Sequence, residues 1–550
     1  MWNRFPPPLR PAPSGIFGIG LETGLKLHVY LKSKSEASKE SCLRRAAGVW
    51  YEPCMACSLS AYRAVPAGLF AAQTIASVQV FCSGRELQQT LAAVAEAGYL
   101  PVPGPHIAPP LISLKAALCG GLFFTLSLGA GLSLITFGAS WSWRRLFNRR
   151  KTVLFFFICL WAAGLTAVAA RGLSWFALLY VLCVPAAVWA ADRGTRRPGP
   201  GPSLAIHPNG WCHFTVLVLT ALLWAPQINS DIFIRIRDHL LLSNKAGILI
   251  NDFYYRYTLY AAEAFKAPHQ KMIKAAHLGG LPSGPDNRRI QDALISHDYL
   301  IVDRPETAVL DLIRQDGRLM LQHDDRTIVH TTAEDFTAGA TALLKQFSTE
   351  IDRNAALRRM TFLSLVFGFP LLLYIGFYSL FCALMRRLVD RTPAVLISTG
   401  LCLLLGGLPA VMLHHKAGEP PAISDAVFRP TADRDAKLAR LKHICADQQE
   451  IAHFAGFQRL AGDPDIAVRY WFARALSISR RADTRPLLHG MLADPHPNVV
   501  CQALYGLGRR KGAAAVDAAL QKLAATDHWY VQWYAYTALK ALGWRQQRLN

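Results

Sequence analysis

The chain has 550 residues, of which 52% are hydrophobic and only 17% charged, with a formal net charge of +22 and a positive mean hydropathy. That is more apolar side chain than a soluble domain needs, so the composition argues against a soluble globular class and for a membrane protein. Many cations lie in short loops beside apolar runs, as they do in inserted helices that keep Lys and Arg in the cytoplasm, and no continuous basic face or aromatic stacking module points to nucleic acid.

The first 22 residues contain "MWNRFPPPLRPAPSG", which is Pro-rich, lacks the basic-apolar-small order of a signal peptide and reads as a disordered tail. Residues 23–110 have two readings. In one, "LKLHVYL" (25–31), a helix-like "SEASKESCLRRAA", an extended "IASVQVFC" and a helical "GRELQQTLAAVAEAGYLPV" (84–102) form a small α+β unit. Cys54 and Cys57 of "PCMAC" belong to it, and two thiolates three residues apart can grip one soft metal ion or form a redox pair. This stretch resembles the βαββαβ heavy-metal-associated domain, which implies a ferredoxin-like fold and a metal site at Cys54 and Cys57. It departs from that family in placing the cysteine pair after the first helix instead of at its start. In the other reading, Ala64 to Cys82 is an additional membrane crossing, rich in Ala, Gln, Ser and Thr.

Crossing a hydrocarbon core takes about 20 apolar residues in a helix. Six runs qualify: Ala116 to Phe137, Thr152 to Ala170, Leu173 to Ala191, Trp211 to Ile228, Thr361 to Met385 and Ala394 to Leu413, within transmembrane segments 111–228 and 361–413. The basic connections "SWSWRRLFNRRK", "DRGTRRPGPGP" and "MRRLVDRTP" are each two crossings apart and share one face. Residues 229–360 and everything after 413 are then together on the opposite, non-cytoplasmic side. No Asp, Glu, Lys or Arg lies in the cores of the six runs, which fits an anchor better than an ion-coupled pump. Thr125, Gly129, Ser133, Gly406 and Gly407 read as close-packing positions.

Residues 229–360 read as an α+β domain. An aromatic-rich helix, "NDFYYRYTLYAAEAFK", places Phe253, Tyr257 and Tyr260 on one face and suits a membrane surface or ordinary packing. "YLIVD", "VLDLIRQ", "RLMLQH" and "TIVHTT" alternate as strands do, with Asp316-Gly317 as a tight hairpin turn, before a helix returns at "AEDFTAGATALLKQFSTEIDR". Its acids and histidines fall into no spacing for metal ligation or for a nucleophile with its base.

After a linker at 414–434, residues 435–550 repeat. "DPDIAVRYWFARALS" (463–477), "DPHPNVVCQALYGLG" (494–508) and "TDHWYVQWYAYTALK" (526–540) align Val468, Val499 and Val531, then Leu476, Leu507 and Leu539. Asp-Pro opens a helix as a cap, and the matched Val and Leu face the neighbouring unit, because one helix pair cannot bury its apolar side alone. The pattern resembles the HEAT-repeat family, which implies a right-handed stack of helix pairs that binds protein and does no chemistry of its own. Trp529, Tyr530, Trp533 and Tyr534, with Tyr536, crowd the last unit and read as anchors for a partner or as a cap on the stack.

The whole is mainly α: a polytopic membrane bundle of six or seven helices, a small aqueous α+β domain between the fourth and fifth, and a C-terminal HEAT-like α-solenoid. The functional expectation is a membrane-anchored, non-enzymatic scaffold that contacts the lipid bilayer and a protein partner. Two alternatives are a transporter or metal-handling component using Cys54 and Cys57, and a membrane enzyme with its site in 229–360.

Overall fold

The computed structural model describes residues 52–169, 172, 174–193, 208–229, 232–263, 265–279, 284–415, 428 and 433–548. The Pro-rich tail and the stretches at 25–31 and 35–47 lie outside these residues. Helix α1 (Glu52–Glu96) is continuous through Pro66 and through "IASVQVFC", which corrects the extended reading of that stretch. Ala64, Ala72, Ala76 and Val80 are all buried, so the working period is close to four and the alternation of "IASVQV" is incidental. No strand occurs among the described residues between 52 and 110, so the ferredoxin-like reading does not hold there.

A loop with a single helical turn at Ala108–Leu111 leads to α2 (Leu114–Phe124), a π-helical turn Thr125–Gly129 and α3 (Ala130–Arg145), then α4 (Lys151–Ala169) and α5 (Trp175–Arg193). Helix α6 (Pro208–Trp224) ends just before Pro226, whose ring removes an N–H, and the chain bends by 97° between Gly210–Gln227 and Ile232–Ser243. The fourth expected crossing is therefore one limb of a bent pair and stops short of Ile228. An arm follows, made of α7 (Ile232–His239), α8 (Lys245–Phe253), a second π-helical turn Tyr254–Thr258 and α9 (Leu259–Glu263).

Next comes a five-stranded sheet of order β2-β1-β3-β4-β5, with strands Lys274–Gly279, Tyr299–Ile301, Leu310–Gln315, Arg318–His323 and Arg326–Thr331 numbered along the chain. Strand β1 is parallel to β2 and β3, while β3, β4 and β5 form an antiparallel meander. Asp316 and Gly317 hold φ of 51° and 77°, the left-handed pair that a two-residue hairpin demands. Helices α10 (Pro285–Ser296) and α11 (Ala333–Glu350) pack on the sheet through Ile290, Leu294, Phe336 and Phe347. The chain then returns through α12 (Ala355–Leu363), a third π-helical turn Ser364–Gly368, α13 (Phe369–Met385) and α14 (Arg391–His415).

Six helical rods among the described residues are long and apolar enough to cross a membrane: Arg63–Glu96, Leu114–Arg144, Lys151–Ala169, Trp175–Arg193, Ala355–Met385 and Arg391–Leu413, or seven if the bent pair counts as one span. Small residues set their separation. A Cβ on Gly129 would lie 2.5 Å from the Ala72 Cβ, and one on Gly407 would lie 3.0 Å from a Leu223 methyl. The π-helical turns at 125–129 and 364–368 meet, and the Ser364 hydroxyl donates to the Ser127 carbonyl. The ionisable pair of this bundle sits at its basic-loop end, where Arg144 pairs with Asp192 at 2.8 Å and the Ser140 hydroxyl donates to the same carboxylate at 2.7 Å.

The C-terminal segment stacks α15 (Arg434–Ala446), α16 (Ile466–Ile478), α17 (Arg485–Gly490), α18 (Pro497–Arg510), α19 (Ala513–Ala525) and α20 (Trp529–Ala541). Val468, Val499, Val531, Leu476, Leu507 and Leu539 are all buried between units. The Asp-Pro signal works one step removed from the reading above: the helix N-caps are Asp465, His496 and His528. Asp463, Asp494 and Thr526 instead accept the backbone N–H of those cap residues, at 2.9, 2.8 and 3.3 Å. Arg469 reaches across to the next unit and donates from two nitrogens to Asp494, at 2.6 and 3.2 Å.

Candidate functional site

The arm lies against α16 and against the first turns of α18 and α20, and the contact is polar at its centre. Arg237 of α7 donates to the Tyr255 hydroxyl at 2.7 Å, to the Tyr470 hydroxyl at 2.7 Å and to Asp238 at 2.7 Å. Arg474 of α16 donates to the other oxygen of Asp238 at 2.8 Å, so one buried carboxylate joins arm and solenoid. Asn251 donates to Asn498 at 3.1 Å, and Arg434 bridges the Ser243 carbonyl and Asp465 at 3.1 and 2.7 Å. Arg237, Tyr255, Tyr470 and Asn498, together with Cys501, Gln502, Tyr530 and Tyr534, line a cavity of about 10 Å³, the room of one water molecule.

The electrostatics follow from burial. Desolvation pushes the Arg237 pKa down, but Tyr470, Tyr255 and Asp238 outweigh it, and the guanidinium stays charged. Burial raises the pKa of the Tyr255, Tyr470, Tyr530 and Tyr534 hydroxyls and of the Cys501 thiol, so all are neutral at ordinary pH. A neutral buried thiol is a poor nucleophile and a poor ligand. The cluster is built to hold two parts of one chain together, with its hydrogen-bond capacity spent internally.

The π-helical turn explains how the arm does this. One additional residue per turn rotates everything after Tyr254, so Tyr255 and Tyr260 face the solenoid while Phe253 and Tyr257 stay together on another side, their rings 5.2 Å apart. The expected single face of Phe253, Tyr257 and Tyr260 is thereby split. Tyr255 meets the Tyr530 ring at 4.3 Å, and Tyr260 meets Trp529 at 5.9 Å.

The four aromatic residues expected to anchor a partner are thus engaged by the chain itself. Trp529 is buried, Tyr530 and Trp533 stack at 5.8 Å, and Tyr534 is edge-on to both at 5.0 and 5.1 Å. Through Tyr530 and Trp529 they pack that end of the stack against the arm, whose Tyr255 and Tyr260 cover them. A further junction ties α20 and its tail to the loop after α1 and to the sheet. Gln546 exchanges two hydrogen bonds with the Leu100 backbone, at 3.1 and 2.8 Å. Gln532 accepts from the Gly104 N–H at 2.8 Å, and Asp298 accepts from Tyr536 at 2.8 Å and also pairs with Lys540. Lys274, buried over the Tyr299 ring at 4.9 Å, is pulled down by desolvation to about 8.

Cys54 and Cys57 fall on the backbone of α1, and their side chains lie outside the described residues. Among the described residues no group of three His, Cys, Asp or Glu side chains is arranged to hold a metal ion. In the sheet, His277 and Asp311 pair at 2.9 Å on neighbouring strands, and His323 contacts the Val309 carbonyl at 3.0 Å. No local pattern marks Arg237 as the centre of a site, since its tyrosine partners are 18 and 233 residues away along the chain.

No curated protein and no solved structure matches the chain. Residues 456–543 match the HEAT-repeat family, and the stacked, interlocked units α16 to α20 that the arm clasps are accordingly a HEAT array.

Proposed function

We propose that this chain is a membrane-anchored scaffold whose HEAT array docks a partner protein on the side of the bilayer away from the basic loops. The carrying observation is the division of the array's surface. Its inner edge is filled by the chain's own arm, while its turns and outer helices α17 and α19 stay open, so binding capacity remains after the internal contacts are made.

Anchoring is supported by the exposed faces of the long helices. Phe155, Phe156 and Leu160 of α4 are 69%, 61% and 61% exposed, a surface that is costly in water at roughly 25 cal/mol per Å² and at home in hydrocarbon. Seven crossings put the loop after α1, the arm and sheet, and the array on one side, in keeping with the single hydrophobic core that joins Tyr99, Tyr260, Leu300, Leu504 and Leu539. Helix α8 adds an in-plane element: Leu249 and Ile250 are 71% and 59% exposed, next to a π-helical turn whose Tyr257 carbonyl abuts Gly120 of α2. The arm then lies between bilayer and array.

Photo-crosslinking in native membranes tests this reading. Probes replacing exposed positions of α17 and α19 are expected to give adducts with another protein, and a probe at Leu249 adducts with lipid. Only lipid or self adducts from the array positions sink the scaffold.

A further inference from the structure

The open edge of the array has a chemical character of its own. The helix-to-helix turns that follow α16 and α18 stack on one another: the Arg510 guanidinium donates to the Thr484 hydroxyl at 2.8 Å and to the Arg481 carbonyl, and Arg485 donates to the Arg510 carbonyl at 3.3 Å. This brings Arg480, Arg481, Arg485, Arg509, Arg510 and Lys511 onto one ridge, all exposed except the half-buried Arg510. Against these stand Asp483, already held by Arg481 at 2.7 Å, and Glu450, which accepts the Arg480 backbone N–H at 2.8 Å. Burial and the nearby Arg485 charge hold the Arg510 pKa below its ordinary value. Lys511 keeps a side chain where φ is 48° and ψ 149°, a backbone conformation that favours glycine, so the charge is held there at a cost in strain.

We infer that this ridge is the docking surface for an acidic, Asp/Glu-rich segment of a partner protein. The inference rests on the scaffold reading and names its partner's chemistry. Elsewhere the array shows what its arginines select: Arg469 and Arg434 each grip carboxylates, and Arg469 does so with two nitrogens on one Asp494. On the ridge Arg481 has Asp483, while Arg480, Arg485 and Arg509 offer the same planar forks with no ion pair to them among the described residues. It lies at the carboxyl ends of α16 and α18, past the positions Tyr470, Arg474 and Asn498 that meet the arm, and on the scaffold reading the arm stands between array and bilayer, which sets the ridge away from the headgroups. Nucleic acid does not fit a surface on the non-cytoplasmic side that offers one ring, Tyr505 beneath Arg509 at 5.8 Å, for base stacking. The chain carries 37 Asp and Glu against 59 Lys and Arg, and among the described residues no ion pair is made to Arg480, Arg485, Arg509 or Lys511, which leaves their charge open to an acidic partner.

The test uses the full chain in zwitterionic nanodiscs and a fluorescein-labelled dodecaglutamate peptide, read by anisotropy at two salt concentrations. The triple reversal Arg480→Glu, Arg485→Glu and Lys511→Glu is expected to weaken binding at least tenfold and flatten its salt dependence. A control reversal of the exposed sheet-edge cations, Arg314→Glu, Arg318→Glu and Arg326→Glu, is expected to change it less than twofold. Triple Gln variants at the ridge are expected to fall between, which separates loss of charge from misfolding. Equal effects of the two reversals, or ridge-dependent binding to phosphatidylglycerol vesicles with none to the peptide, overturn the inference. Crosslinking keeps the two proposals apart: partner adducts on α17 or α19 that survive ridge reversal sink the ridge alone, and absence of any partner on the array sinks the scaffold.

Discussion

Two edges of the same array use arginine in opposite ways. On the arm side Arg237, Arg434, Arg469 and Arg474 each meet a carboxylate, and Arg237 is only 18% exposed. On the turn side Arg480, Arg485, Arg509 and Lys511 are exposed, and no ion pair to them occurs among the described residues. Asp465 and Asp494 of the repeats and Asp238 of the arm supply the carboxylates on the first edge, so the difference lies in where array and arm together place their acids. Charge that is matched from within holds the fold together, and charge left open is free for an external ligand.

This contrast fails first at Arg237. Arg237→Ala leaves Asp238 and two tyrosine hydroxyls short of their donor in a buried site and is expected to cost about 3–5 kcal/mol, read as a lowered unfolding temperature in detergent by tryptophan fluorescence. A loss below 1 kcal/mol would mean that the two edges do not differ in kind. Gly506→Val comes next. Its Cβ would lie 2.9 Å from Ser477 Cβ and 3.1 Å from a Leu488 methyl, so neighbouring units must part, at about 1–3 kcal/mol by the same measurement.

The cap histidines sharpen the contrast through pH. Nδ1 of His496 accepts the Asn498 N–H and Nδ1 of His528 the Tyr530 N–H, both at 3.3 Å, and an imidazole does this only when that nitrogen is unprotonated. Burial lowers the His496 pKa, helped by Arg469 and opposed by Asp252 and Asp494. Burial also lowers that of His528, helped by Arg256 and His496 and opposed by Asp527 and Asp252. The unfolded chain then binds more protons as pH falls through about 6.5, so the caps' contribution is complete above that pH and is lost below it, towards the folded pKa values. About 1 kcal/mol per cap is expected to disappear between pH 7.5 and 5.5. The double variant His496→Asn, His528→Asn, whose amides cap at either pH, is expected to flatten that slope; an unchanged slope would show that the caps do not titrate. The smallest effect belongs to the open edge, where Arg480→Ala is expected to shift stability by less than about 0.5 kcal/mol while weakening acidic-peptide binding.

Much of the architecture was legible because it rests on period. Three aligned Val-to-Leu units announced the array, and alternation with an Asp-Gly turn announced β3 and β4. Helix α1 was ambiguous for a physical reason: its Gln73, Ser77 and Gln79 turn inward to other helices, with Gln73 donating to the Leu118 carbonyl at 3.0 Å, so lipid-like hydropathy is not required of it. Strand β1, "KAAHLG", is short and Ala-rich and owes its state to two parallel neighbours far along the chain. The junction at Arg237 was illegible because it joins an arm to helices more than 230 residues later. The aromatic crowding of α20 was visible, and the arm that covers it was not. The basic ridge left a trace in the paired cations of "SRRADTR" and "GRRKG", which become one feature only when consecutive units stack.

The clasp between Leu100 and Gln546 spans 446 residues. At 5–20 residues per second a ribosome needs roughly 20–90 s to travel that far, so the apolar surface at Tyr99 and Val102 is born long before its lid exists. The apolar surface of that early segment therefore stays uncovered during synthesis until α20 and its tail arrive. Messages truncated before residue 526 are expected to yield chains that reach the bilayer and are then degraded.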